Sequence, residues 1–210
     1  MPRRFLRVAA VLLLVVTGAP LGAQAAVDQD GARAFIDTLG DRTVEILQDD
    51  ALSSQERIQA FRQLFREGFA VPTIARFVLG RYWRSASEQQ QQEYLSLFED
   101  LVVETYARRF NEYSGETFEI TSTRPQGEQD VQVQTRIVRS DGPPVNVAWR
   151  VREREDGFQI VDVEVEGVSM ALTQRNEFAA IIQRNGGNVE PLLQALRREI
   201  ETARSRNSAG

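Results

Sequence analysis

Asp162, Glu164 and Glu166 recur at every second position along one stretch of chain. On an extended strand that spacing puts three carboxylates on one face, where they could hold a cation or exchange protons. With neither His nor a Gly-rich Asp loop nearby, a solvated strand face is the better reading, and Asp162, closest to the apolar part, is the member to watch. Arg81 and Arg84 flank Tyr82-Trp83, and Arg108 adjoins Arg109. Such pairs can fork onto phosphate, or simply compensate the negative ends of helices. The remaining catalytic repertoire is thin. The chain has no His and no Cys, and all 25 of its basic residues are Arg, so Lys is absent too. That excludes an imidazole base, a Ser-His-Asp triad, thiolate chemistry, Fe–S ligation, a Schiff base and a P-loop lysine. Carboxylates, hydroxyls, guanidinium groups and a 42% apolar inventory are left. Composition therefore leans away from an enzyme, and no catalytic residue, metal or cofactor is expected.

The elements that must position these groups fall into three blocks. Residues 28–50 carry a rough apolar stripe of Phe35, Leu39, Val44, Ile46 and Leu47, with Gly40 a candidate break. Ser53 and Ser54 can cap a second helix, with Glu56 in its first turn and Ile58, Phe61, Leu64, Phe65 and Phe69 at helical spacing. Pro72 opens a short third helix closed by Gly80, and Ser87 caps a long one over Glu88 to Tyr113. After Gly115 the apolar period changes from helical to alternating. Phe118 and Ile120, then Val131 to Ile137, Val145 to Val151 and Phe158 to Val165 read as four strands with short connections, an antiparallel meander. Within the fourth, Phe158 and Ile160 lie at even positions but Val161, Val163 and Val165 at odd ones, which requires a bulge or cover on both faces. Helices over 167–185 and 189–204 follow, parted by Gly186-Gly187. The expected fold class is α+β: N-terminal helices, a four-stranded antiparallel curved sheet, then C-terminal helices.

The first residues read as an export signal. Arg3, Arg4 and Arg7 precede the uncharged run Val8 to Val16, and Ala23-Gln24-Ala25 supplies small residues for cleavage after Ala25. The run is about half the ~20 residues a membrane span needs, and no Cys stands there for a lipoprotein anchor. Residues 1–25 are thus expected to be removed, leaving 26–210 as a single domain. That part carries 22 arginines against 30 carboxylates, a net charge of −8. Its longest uncharged stretches are eight residues, so no second span is expected, and its acidity disfavours nucleic acid and anionic surfaces. Its length suffices for one sizeable core.

All four tyrosines and Trp83, with Phe61, Phe65, Phe69, Phe77, Phe98 and Phe110, are concentrated in residues 61–113, just before the sheet. A sheet curling against helices so rich in aromatics can be filled or can leave a cavity, and pattern alone does not separate the two.

Phe77-Val78-Leu79-Gly80-Arg81-Tyr82-Trp83-Arg84-Ser85-Ala86-Ser87, the later Thr105-Tyr106, then Glu166-Gly167-Val168-Ser169-Met170 with Asn176-Glu177-Phe178 occur in this order. Together these blocks resemble the MlaC family, soluble phospholipid-binding components of the Mla system, also described as toluene-tolerance proteins. The resemblance covers about residues 53–200. It implies a periplasmic carrier in a Gram-negative bacterium that shuttles glycerophospholipid between an outer-membrane lipoprotein–porin complex and an inner-membrane ABC transporter bearing an MCE-domain subunit, maintaining outer-membrane lipid asymmetry. It also implies an apolar cavity, enclosed between sheet and helices, for phospholipid held as cargo. A monomer is expected.

On that reading the acyl-chain contacts expected from the helices are Ile74, Phe77, Val78, Tyr82, Phe98, Leu101, Val102, Tyr106 and Phe110. From the sheet they are Val133, Thr135, Ile137, Val147, Trp149 and Val163, with Val168 and Met170 beside its end. Arg81 and Arg84 are the head-group candidates. Two other readings fit the same elements. A cone-shaped α+β fold could house a small-molecule isomerase using Asp162 and a tyrosine, or an exported chaperone or adaptor could use an apolar groove.

Overall fold

Local capping signals begin the second, third and fourth helices where the sequence places them, whereas the helix expected from residue 167 begins at Met170 after a short strand. A computed structural model describes residues 27–208, apart from 112, 114, 140 and 141, so the expected export segment lies outside the described residues. Helix α1 (Gln29–Gln48) is capped by Asp28, which accepts from the Gly31 N–H at 2.9 Å. Gly40 does not break it. A Cβ there would sit 2.8 Å from the Phe118 ring, so the glycine lets the helix press against the first strand.

Helix α2 (Ser54–Gly68) starts with a capping box: the Glu56 N–H donates to Ser53 Oγ at 3.3 Å and the Ser53 N–H to Glu56 Oε2 at 2.9 Å. The Ser53 hydroxyl, donating to Glu56 Oε2 at 2.6 Å, and then the Ser53 N–H hold the Glu56 carboxyl below its usual range. Helix α3 (Val71–Leu79) has Pro72 in its first turn and ends at Gly80, whose φ of 59° and ψ of −130° suit a residue without Cβ. The chain then makes a 3-10 turn, Gly80–Arg84, before α4 (Glu88–Asn111), where Ser87 Oγ accepts from the Gln90 N–H at 3.2 Å.

The sheet has five antiparallel strands in sequence order, one more than the alternation suggests: β1 (Thr117–Gln126), β2 (Asp130–Val138), β3 (Val145–Arg154), β4 (Gly157–Val165) and β5 (Val168–Ser169). Strand β5 is two residues long, too short to show a period, and follows the turn Glu166-Gly167, in which Glu166 has a φ of 49°. The face switch in β4 resolves as a bulge. Val163 pairs with Trp149 and Asp162 with Arg150, but Val151 pairs with Ile160, leaving Val161 extra. A second register shift, between Ile120 and Ser122, does the same in β1. Both shifts keep the apolar residues of their strands on one side. Helices α5 (Met170–Arg184) and α6 (Glu190–Ser208) complete the chain.

The buried residues form two clusters instead of one continuous core. The larger joins α2 to α6 through residues such as Val78, Tyr94, Phe98, Phe178, Ile182, Leu192 and Leu193. Tyr94 is fully buried, its Oη donating to the Ala75 carbonyl at 3.0 Å, and burial pushes its phenol well above the usual range. The smaller joins Ala32 and Ile36 of α1 to Val131, Val133, Val151 and Ile160 of the sheet. Phe69 packs against both, where its backbone bridges Ile160 and the Ala70 N–H donates to the Ile160 carbonyl at 2.9 Å.

Charge ties the helices together. Arg62 bridges Glu99 at 3.0 Å and Asp100 at 2.6 Å, Arg204 reaches Asp100 and Glu104 at 3.1 Å, and Arg197 pairs with Glu93. Burial works against the Arg62 charge, but the hydrogen bonds it donates to Glu99 and Asp100, with their charges, outweigh it and raise its pKa.

Candidate functional site

Residues paired across an antiparallel sheet point to the same side, so the register divides the sheet into two chemically different faces. On one, Val131, Val133, Thr135 and Ile137 stand opposite Val151, Trp149, Val147 and Val145, which in β4 meet Ile160, Val163 and Val165. On the other, Asp130 faces Arg152, Gln132 faces Arg150, and Arg150 faces Asp162.

On the polar face the charged groups around Asp130 pair with one another. Asp130 is 2% exposed and accepts from Arg150 Nε at 2.6 Å and from Arg152 Nε at 2.5 Å. Desolvation alone would raise its pKa, but the hydrogen bonds from Arg152 and Arg150 and their charges win, and the carboxyl sits below its usual range. Gln132 is held between Arg124 at 2.7 Å and Glu164 at 3.1 Å.

The three alternating carboxylates are all hydrogen-bonded within the protein. Asp162 accepts from Ser169 Oγ at 2.6 Å and from the backbone N–H groups of Val163 at 2.8 Å and Ala171 at 3.2 Å, tying β4 to the start of α5. Glu166 accepts from the Asn146 N–H at 2.6 Å. Among the described residues no group of carboxylates is arranged to hold a metal ion. Asp162, the acid an isomerase would use, stands on the face opposite Trp149 and Val163.

Helix α1 accounts for only part of the cover of the apolar face. Helix α1 lies over the side that carries Val131, Val133, Val151 and Ile160. Further along the same face, Val147 is buried yet belongs to neither cluster, and Ile137, Val145 and Val165 are half-buried. The one polar group there is neutral and internally paired: Thr135 Oγ1 donates to the Val147 carbonyl at 3.0 Å and accepts from Trp149 Nε1 at 2.9 Å. A wall of this composition can receive an apolar ligand without leaving a polar atom unsatisfied.

The expected contacts thus separate into groups. Thr135, Ile137 and Val147 form this stretch of wall. Val133, Trp149 and Val163 belong to the cluster under α1, while Ile74, Val78, Tyr82, Phe98, Leu101 and Val102 pack within the helical cluster. Phe77, Tyr106 and Val168 are 44%, 40% and 52% exposed, and Met170 is half-buried. The side chains of Arg108, Arg109 and Phe110 lie outside the described residues.

Arg81 is exposed, its Nη2 donating to Tyr82 Oη at 2.7 Å and its guanidinium 4.9 Å from that ring, and Arg84 is also exposed. Sequence reasoning passed over Leu172, 50% exposed, and Arg175, whose guanidinium lies 4.9 Å from the Phe77 ring. An isolated leucine two residues past Met170 carries no signal until α5 is laid beside α3.

A separate cleft of about 710 Å³ lies between α2, the start of α3, α4 and the β3–β4 hairpin, floored by Phe69, Val71 and Leu95 and edged by Arg66, Glu99 and Arg154. None of the expected acyl contacts lines it.

With this geometry, known proteins can be compared. The family model described as MlaC protein matches residues 37–198. The intermembrane phospholipid transport system binding protein MlaC of Haemophilus influenzae is 25% identical over 113 residues, 52% of this chain and 53% of that protein. The toluene tolerance protein ttg2D of Pseudomonas putida is 19% identical over 124 residues, 59% of this chain and 58% of that protein. The matched part thus spans little more than half the length of these two relatives. A phospholipid-binding protein from Ralstonia solanacearum, solved in complex with a phospholipid, has a TM-score of 0.72 at 25% identity, covering 85% of this chain and 99% of that one.

Proposed function

The chain belongs to the MlaC family, and on that premise we propose that it is a phospholipid carrier of the periplasm, taking glycerophospholipid between an outer-membrane lipoprotein–porin complex and an inner-membrane ABC transporter with an MCE-domain subunit. The observation that carries the reading is the run of apolar sheet face beyond α1, around Val147, in a fold shared with a phospholipid-bound relative. The acyl chains lie against Thr135, Ile137 and Val147, next to Trp149 and Val163, and leave past the exposed Phe77, Tyr106 and Val168. Arg81 and Arg84 stand on the same element as Tyr82 and meet the head group.

The energetics need no catalytic residue. Each methylene kept from water is worth ~0.8 kcal/mol, so two acyl chains with roughly 30 methylenes represent on the order of 24 kcal/mol gross. Free lipid is therefore scarce in water, and the carrier has only to match the apolar environment of a bilayer for exchange to be near balance. Direction is then set by the relative affinities of the two membrane complexes.

Native mass spectrometry of the protein purified without detergent, followed by organic extraction, tests this. One or two phospholipid masses released on denaturation are expected. A clean apo mass with no uptake from liposomes would overturn the reading. Val147→Glu places an unpaired carboxylate in the wall and should abolish carriage in protein that far-UV circular dichroism shows to be folded. Full lipid content in that folded variant removes Val147 from the site.

A further inference from the structure

Among the described residues, three of the four large apolar side chains left exposed stand at the corner made by the neighbouring elements α3, α5 and β5, the fourth being Tyr106 of α4. Phe77 on α3, Leu172 on α5 and Val168 on β5 are 44%, 50% and 52% exposed. Arg175, one turn beyond Leu172, lies over the Phe77 ring and reaches the end of α3, where a Cβ on Gly80 would stand 3.1 Å from its Nε. Arg76 stacks on Trp83 and Arg81 on Tyr82, each 4.9 Å from the ring centroid. Among the described residues these three arginines have no carboxylate partner, as is also true of others such as Arg84 and Arg184.

We propose that this corner docks directly on an anionic lipid bilayer, with Phe77, Leu172 and Val168 entering the head-group region and Arg76, Arg81 and Arg175 meeting lipid phosphates. Aromatic rings carrying guanidinium groups beside exposed aliphatic side chains are the chemistry of a membrane interface, apolar on one side and hydrated on the other. The charge complements an anionic surface locally even though the chain as a whole is acidic. Its other charges act only weakly beyond the Debye length of roughly 8 Å at physiological salt.

This rests on the carrier reading for its purpose. A carrier whose apolar rim touches the bilayer passes acyl methylenes from one apolar medium to another without crossing water.

The test is flotation of the detergent-free protein with vesicles of phosphatidylglycerol and phosphatidylethanolamine, against vesicles of phosphatidylcholine alone. Binding to the anionic vesicles should be stronger by roughly tenfold at low salt and weaken as salt rises. The Leu172→Gln, Arg175→Glu double variant should lose roughly tenfold of that binding. If it fails to fold by circular dichroism, Arg76→Glu serves instead, since that side chain is exposed.

No preference for anionic vesicles, or wild-type binding by a folded variant, overturns the proposal. So does capture on polyglutamate beads without vesicle binding, which would assign the corner to an acidic protein. Native mass spectrometry of the same samples keeps the two readings apart. Protein that carries phospholipid but ignores both vesicles loses only the docking surface, and protein that floats yet neither carries nor takes up lipid loses only the carrier reading.

Discussion

The helical layer and the sheet layer of this molecule are built to different standards. Among the helices, twenty buried residues from α2 to α6 and their connections close on one another, and side chains such as Tyr94, Ile182, Leu192 and Leu193 have no exposed surface. In the sheet layer six buried residues suffice, four from the strands and two from α1, and the same apolar face runs on past the helix toward Val147, Val165 and Val168. A core closed on all sides holds the fold. The stretch of apolar face that α1 does not reach, half-buried at Ile137, Val145 and Val165, is where a ligand can add to the packing the protein supplies. One face of one sheet thus serves stability at Val133 and, on the carrier reading, cargo at Val147.

The largest effect should come from opening the closed layer. Leu192→Ala should cost ~2–5 kcal/mol in urea denaturation, while the folded fraction keeps its lipid. Lipid loss without destabilisation would erase the distinction between the layers.

Asp130→Asn should follow, at ~1–3 kcal/mol, because the neutral amide no longer offsets the two guanidinium groups above it. The pH dependence has a definite sign. The native carboxyl titrates below the ordinary aspartate value of 3.8, so its stabilisation is complete above that value and is lost as pH falls from there through the lowered native value. Wild type and Asp130→Asn should therefore converge in stability under acid, and a constant gap would remove Asp130 from the account.

The sharpest comparison uses one substitution twice. Val133→Ala, inside the α1 cluster, should cost ~1.5–3 kcal/mol. Val147→Ala, outside both clusters, should cost about half that in delipidated protein, and equal losses would mean that the wall is packed like a core. Comparably small is Ser53→Ala, which removes one half of the α2 capping box and should cost about 1 kcal/mol without altering lipid content.

Much of the architecture could be read from local rules. Ser53 with Glu56, Pro72 in the first turn of α3, Gly80 at its end and Ser87 before α4 act within four residues of chain, so their spacing is enough. The alternation from Phe118 to Val165 marks the strands for the same reason. The choice between a bulge and two covered faces in β4 was not legible, because it depends on which residue of β3 stands opposite Val161. Gly40 looked like a break because its use, contact with Phe118, lies on a strand far along the chain. An apolar stripe states that a side is covered but not by what. Tyr82, Phe98 and Leu101 read as cargo contacts, and the structure places them in the helical cluster.

By itself, then, the sequence determined the element order, the caps, the residues able to face inward and the poverty of catalytic groups, all properties of side-chain type and short spacing. Only the tertiary structure decided the two-core arrangement, the burial of Asp130 under a pair of arginines and the gathering of Phe77, Leu172 and Arg175 at one corner. Those features join residues tens of positions apart, and contacts at that range are set by the packing of whole elements, to which no local pattern is sensitive.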